Sequence, residues 1–262
     1  MTLAERSIAA LRTDHDLLAA LVADTPEDAL TAPSGADDWV VADVLSHLGS
    51  GAEIGLAATW KPALEGADVP DQEFNRTVWD RWDNLPAWAQ AAGFLDFDER
   101  LVTLLENLDP ETRESLKVRL GFLPAPISLA GAVGMRLNEA ELHGWDVRVA
   151  YDPAAELAGE HAEILAEHLA GELGFMLGFA AKTERLGRPV TVAVGDSGYV
   201  LTLEDGATLA QAAGTTSATF SGSLAAFLRL VAGRLKPEHT PAGVDVTGDV
   251  TLDELRAVFP GY

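Results

Sequence analysis

Apolar residues recur every three to four positions through the first part of the chain, and then the pattern changes to alternation. The opening segment TLAERSIAALRTDHDLLAALVA carries a Thr2–Glu5 capping box and predicts a helix. DWVVADVLSHLGSGAEIGLAATW predicts a second helix. DERLVTLLENL predicts a third, stopped by Asp109-Pro110, and ISLAGAVGMRLNEAELHGWDVRVA a fourth, stopped before Asp152-Pro153. EHAEILAEHLAGELGFMLGFAAK predicts one long amphipathic helix. QEFNRTVWDRWDNLPAWAQ predicts a short helix and a loop.

Past TERLGRP the runs VTVAV and YVLTL flank Gly195-Asp196-Ser197-Gly198, the pattern of a β-hairpin. SATFSG predicts a further strand, and VDVTGDV a strand that returns to the same sheet. SLAAFLRLVAG predicts a helix with Ser223 as N-cap and Gly233 as its stop. TLDELRAVF closes the chain as a short helix with a Thr251–Glu254 capping box. The expected fold is α followed by α+β: an antiparallel four-helix bundle over residues 1–182 and a small α+β domain over 183–262.

The fourth helix holds an anomaly. On a wheel of about 100° per residue, Glu141, Arg148 and Asn138 gather on one side, read as solvent-facing, and Ile127, Leu129, Ala132, Met135, Ala140, Leu142 and Val147 lie mostly on the other. Arg136, Glu139, His143 and Asp146 fall in the middle of the apolar side, spaced by three, four and three residues. Buried groups of this kind need partners. One solution is an ion-pair ladder, Arg136 with Glu139 and His143 with Asp146. The other is a metal site, because Glu139 and His143 are one turn apart and can face one ion. On the second helix, His47 lies at the edge of the apolar arc. Facing helices could then supply His47, Glu139 and His143, a set of two nitrogens and one oxygen that suits zinc with an open position, or nickel or iron. Arg136 and Asp146 would be supporting groups or substrate contacts.

Composition narrows the partners. The chain has 262 residues, 48% hydrophobic, no Cys and a net charge of −23. That charge argues against nucleic acid or an anionic membrane surface. No apolar run is long enough to span a bilayer, and the first residues lack a basic-then-apolar leader pattern, so a cytoplasmic protein is expected. Without Cys there is no cysteine nucleophile and no thiolate ligand in the chain.

DWVVADVLSHL resembles the Gly-Trp-Thr-Val-Arg-Asp-Val-Leu-Ala-His-Leu signature of the mycothiol-dependent maleylpyruvate isomerase family, within the DinB-like metal-binding bundles. RLNEAELHGWDVR resembles that family's second signature, Arg-x-x-Glu-x-x-x-His-x-x-Asp. The resemblance implies zinc held by His47, Glu139 and His143. It also implies a small sterol-carrier-like domain after the bundle, whose helix ends in Gly-Arg as VAGRL does here, which makes Arg234 a residue implicated in activity. Two positions depart from the pattern: Val40 stands where the family has Thr, with Asp38 or Asp43 available as a substitute cap, and Ala42 stands where it has Arg.

The chemistry implied is that of an open divalent site, which lowers the pKa of what it binds and deprotonates a coordinated thiol. The family takes its thiol from mycothiol, the small thiol of actinobacteria. A thiolate can add to an activated C=C, allow rotation and leave, as an isomerase requires, or attack an electrophile and remain, as a transferase requires. Arg234 or Arg136 could hold a substrate carboxylate. An alternative class is a non-catalytic metal-binding or apolar-ligand-binding protein. Other signals carry less. Gly-Asp-Ser-Gly at 195–198 has the form of a serine-protease nucleophile loop but reads as a turn. His161 and His168 sit in a Glu-rich helix and read as solvated. His15 reads as pairing locally, His239 as a loop residue, and Trp39 and Trp145 as core anchors.

Overall fold

A computed structural model describes residues 1–261, which divide into two compact units, Met1–Asp152 and the residues from Pro153 onward. The first unit opens with α1 (Leu3–Asp24), whose capping box forms as expected: Thr2 Oγ1 accepts the Glu5 N–H and Glu5 Oε2 accepts the Thr2 N–H. α2 (Val41–Ile54) runs on through a π-helical turn, Gly55–Trp60, into the short α3 (Lys61–Glu65). Gly66 ends that run with φ of +67°, a left-handed conformation that costs Gly little. Val40 has no side-chain acceptor, and Asp43 Oδ2 instead accepts the Val40 N–H at 2.9 Å. One half of a capping box therefore replaces the missing Thr.

The segment expected to be a short helix and a loop is more helical than that. It forms α4 (Gln72–Asp83) and the first turn of α5 (Ala87–Glu106), which Pro86 separates. Asp109 caps α6 (Pro110–Ser115). β1 (Lys117–Val118) pairs antiparallel with β2 (Ile127–Ser128), and Ser128 then caps α7 (Leu129–Val149) by accepting the Gly131 N–H.

The bundle proper is α1, α2, α5 and α7. α2 packs against α5 and α7, and α1 against α5 and α7. Leu18, Val44, Leu45, Leu48, Phe94 and Val147 form one buried cluster between them. A fully buried Leu or Phe is worth about 1.5–3 kcal/mol over an exposed one, so this cluster contributes substantially to the unit's stability. Ala42 belongs to the same cluster and is 2% exposed, so the Arg that the family has in this position would need room and a partner in this core.

The solvent-facing arc expected on α7 does not exist. Glu141 and Asn138 are buried, and Glu141 pairs with Arg148 at 3.1 Å. The reason is that α7 is packed on by both α1 and α2, so its buried residues occupy every face.

In the second unit, α8 (Gly159–Leu169) and α9 (Phe175–Ala180) stand where one long helix was expected. Gly171 and Gly174 flank the break, and the Leu173 N–H folds back to the His168 carbonyl. Against the expected boundary at 182/183, both helices group with the sheet-containing unit rather than the bundle. His161 and His168 are buried, not solvated, because α8 packs against α10 (Leu224–Val231).

β3 (Val190–Val194) and β4 (Tyr199–Leu203) make the expected hairpin. Ser197 Oγ donates to the Val194 carbonyl, so this hydroxyl serves the turn. A strand not foreseen, β5 (Ala207–Gln211), adds to β4 across Asp205-Gly206. β6 (Ala218–Ser221) runs parallel to β3, and β7 (Asp245–Gly248) antiparallel to β6, giving the order β5-β4-β3-β6-β7. α11 (Leu252–Val258) keeps its Thr251–Glu254 capping box. His239 lies in a single tight turn, Pro237–His239, and its carbonyl accepts from the buried Arg229. Among the described residues no helix is long and apolar enough to cross a membrane.

Candidate metal centre

α2 and α7 bring His47, Glu139 and His143 together, so that one donor atom from each lies within 4.8 Å of the others. His47 Nε2 is 3.0 Å from Glu139 Oε2, and His143 Nε2 is 3.6 Å from the same oxygen. The two imidazoles meet edge to face with centroids 4.7 Å apart. Two nitrogens and a carboxylate oxygen converging on one point are a donor set suited to zinc with room for a further ligand, so the residues fit the metal that the resemblance implies.

The ion-pair ladder forms only in its second half. His143 Nδ1 meets Asp146 Oδ2 at 2.8 Å, but Arg136 pairs with Asp98 of α5 at 2.6 Å. Glu139 is left facing two histidines. Burial pushes its carboxyl pKa up, but the hydrogen bond from His47 and the charges of His143, His47 and Arg136 outweigh that and hold it down to about 2. It is therefore an anion throughout the neutral range.

Asp146 is completely buried and occupies the Nδ1 side of His143, which leaves Nε2 for the centre. The loop before α2 closes over this pair. The Gly35 N–H donates to the Asp146 carbonyl at 2.8 Å, and a Cβ at Gly35 would lie 3.0 Å from Asp146 Oδ1, so the close approach needs Gly. Replacing Asp146 by Asn is expected to weaken zinc binding roughly 10–100-fold, the range for groups that orient a ligating His. Competition against a chromophoric chelator measures this; complete loss of binding with native helicity would make Asp146 a ligand instead.

Trp39 is not the core anchor expected. It is 36% exposed and stacks on His143 at 5.9 Å, with His47 at 5.3 Å. Trp145 is fully buried, as expected of an anchor. Beside His47 a cleft of about 390 Å³ opens between Trp39, Asp43, Ser46, Trp79 and Asp83. His15 does not pair locally: it reaches across to Asp98, at 2.9 Å. Asp98 was the residue missed. The available signal was that Asp98 falls in register with Phe94, Leu101 and Leu105, on the face of α5 that should be apolar.

In the second unit, Arg234 follows Gly233, whose φ of +72° ends the turn after α10. It is half-buried, and its Nη1 donates to the Ala232 carbonyl at 3.2 Å. A Cβ on Gly233 would meet the backbone of Gly261 at 2.3 Å, so this glycine is required for space as well as for φ.

Residues 11–148 match the family model described as the mycothiol maleylpyruvate isomerase N-terminal domain. The chain belongs to the mycothiol-dependent maleylpyruvate isomerase family. Residues 163–253 match the corresponding C-terminal domain, so the family model covers both compact units. A solved structure of the mycothiol-dependent maleylpyruvate isomerase superposes with a TM-score of 0.64 at 18% identity, covering 95% of each chain. A mutant of that enzyme with one His replaced by Ala gives 0.63 at the same identity and coverage. At this identity the likeness speaks for the shared fold. No curated protein matches the sequence.

Proposed function

We propose that the protein is a metal-dependent enzyme that uses mycothiol as a nucleophile for cis–trans isomerisation of an activated enoyl acid, with zinc held by His47, Glu139 and His143. The observation that carries the reading is that Glu139, on the face of a buried helix, has two histidines for neighbours while the nearby Arg136 is engaged elsewhere. Family membership supports the thiol. A divalent ion, when bound, supplies Lewis acidity and turns a thiol into a thiolate at neutral pH.

The chain's own residues do the rest. Asp146 fixes the tautomer and orientation of His143. Glu139 stays ionised and offsets positive charge at the centre. Trp39 packs against both imidazoles. The cleft beside His47 is large enough for the organic part of a small thiol. A substrate carboxylate needs a cation, and in the bundle Arg136 is already committed to Asp98 and to the Leu48 carbonyl. We assign a role in the reaction to Arg234, on the resemblance of VAGRL to the family's Gly-Arg helix ending.

The test is conversion of maleylpyruvate by the zinc-loaded protein with and without mycothiol. Turnover that requires both components, and that stops with a chelator, is expected. Equal conversion without thiol, or none with zinc and thiol present, would overturn the reading; a stable thiol adduct without isomerisation would make the protein a transferase. In the same assay Arg234→Ala is expected to lower turnover about tenfold or more at unchanged zinc content, since a charge-assisted contact is worth about 1.5–3 kcal/mol. Parent-like turnover would remove Arg234 from the mechanism.

A further inference from the structure

We propose that Asp98 is a positioning residue of the metal centre: by holding Arg136, it keeps that guanidinium off Glu139 and leaves the carboxylate to the metal. The proposal rests on the metal reading above.

Asp98 belongs to α5, which contributes nothing to the donor set. Its side chain is 5% exposed and both oxygens are used. Oδ1 accepts from Arg136 Nη2 at 2.6 Å, and Oδ2 faces His15 Nδ1 at 2.9 Å. Burial pushes its carboxyl pKa up, but the charge of Arg136 and the hydrogen bond with His15 bring it below the ordinary carboxylate value. His15 is fixed in turn, with Nε2 3.1 Å from Glu99, and Glu99 pairs with Arg12. The held guanidinium also donates to the carbonyl of Leu48, the residue after His47, at 3.0 Å.

The alternative partner of Arg136 is close at hand. Glu139 lies three residues further along α7 on the same face, the spacing at which Arg and Glu pair along a helix. Without an acceptor on α5, a buried guanidinium must find another, and Glu139 is an anion within that reach. Such a pair would take the carboxylate that the two histidines share. Asp98 therefore acts on the centre through Arg136.

The experiment is a zinc titration against a chromophoric chelator, with the visible spectrum of the cobalt-substituted protein as a second readout. Asp98→Asn is expected to weaken zinc binding roughly 10–100-fold and to alter the cobalt spectrum, because a group supporting a ligand has that range of effect. Adding Arg136→Met removes the competing cation and is expected to restore most of the lost affinity. A role confined to stability predicts parent-like zinc affinity in the folded Asp98→Asn protein. Should Asp98→Asn fold poorly, His15→Gln loosens the other Asp98 oxygen and is expected to shift zinc affinity in the same direction. Parent-like zinc affinity in folded Asp98→Asn or His15→Gln, or no recovery in the double variant, would overturn the proposal. A parent protein that takes up no zinc would instead overturn the metal reading, and the proposal with it.

Discussion

His143→Ala is expected to leave a folded, helical protein that has lost nearly all of its metal. A group that merely orients a ligand costs 10–100-fold in affinity when removed, so losing one of three ligands is expected to cost at least about 100-fold. The fold should survive because His143 is not part of the apolar cluster that joins the helices. The vacated side chain also leaves Asp146 buried and without its imidazole partner. A loss of up to about 3 kcal/mol in stability is therefore expected beside the metal effect. Metal analysis of the purified variant, with circular dichroism for helicity, decides the matter. Full occupancy with native helicity would remove His143 from the donor set.

Much of this centre is legible in the sequence for a physical reason. Charged residues at helical spacing on an apolar face have few explanations, and here the stripe from Arg136 to Asp146 carries two of the three residues of the candidate set. What spacing cannot say is which partner each group takes. The ladder pairing of Arg136 with Glu139 and the observed pairing with Asp98 are equally compatible with the pattern, and only the packing of α5 decides between them. The wheel failed for Glu141 and Asn138 because it places polar residues on a wet side, and both are buried here. It failed for His161 and His168 because a Glu-rich neighbourhood says little about which helix will pack on top. β5 was missed because ATLAQ has weak strand propensity and owes its pairing to the Asp205-Gly206 turn and to the neighbouring strand.

Trp82→Ala is expected to be among the most destabilising single changes in the bundle, at about 3–5 kcal/mol. Trp82 belongs to α4, yet its indole is 2% exposed because α2 and α5 make a slot for it. The slot is built from absences. A Cβ at Gly49 of α2 would lie 2.3 Å from the indole, and one at Gly93 of α5 would lie 2.7 Å from it. The Trp82 Nε1–H donates to Glu53 Oε2 at 2.7 Å, so the polar end of the ring is satisfied too. Glu53 also pairs with Arg81, which fastens α4 to α2 a second time. Because α2 carries His47 two residues before Gly49, this packing also sets where one residue of the candidate centre stands. Gly49→Ala shows the logic from the other side. Ala is the better helix former by about 1 kcal/mol, but its methyl meets the ring and also the Phe94 Cα at 2.9 Å, so it is expected to destabilise. With Trp82 already replaced by Ala, most of that clash is gone and Gly49→Ala is expected to cost much less. Denaturant unfolding of the parent, both single variants and the double completes the cycle. Strictly additive costs would mean that Gly49 is not there to admit the indole.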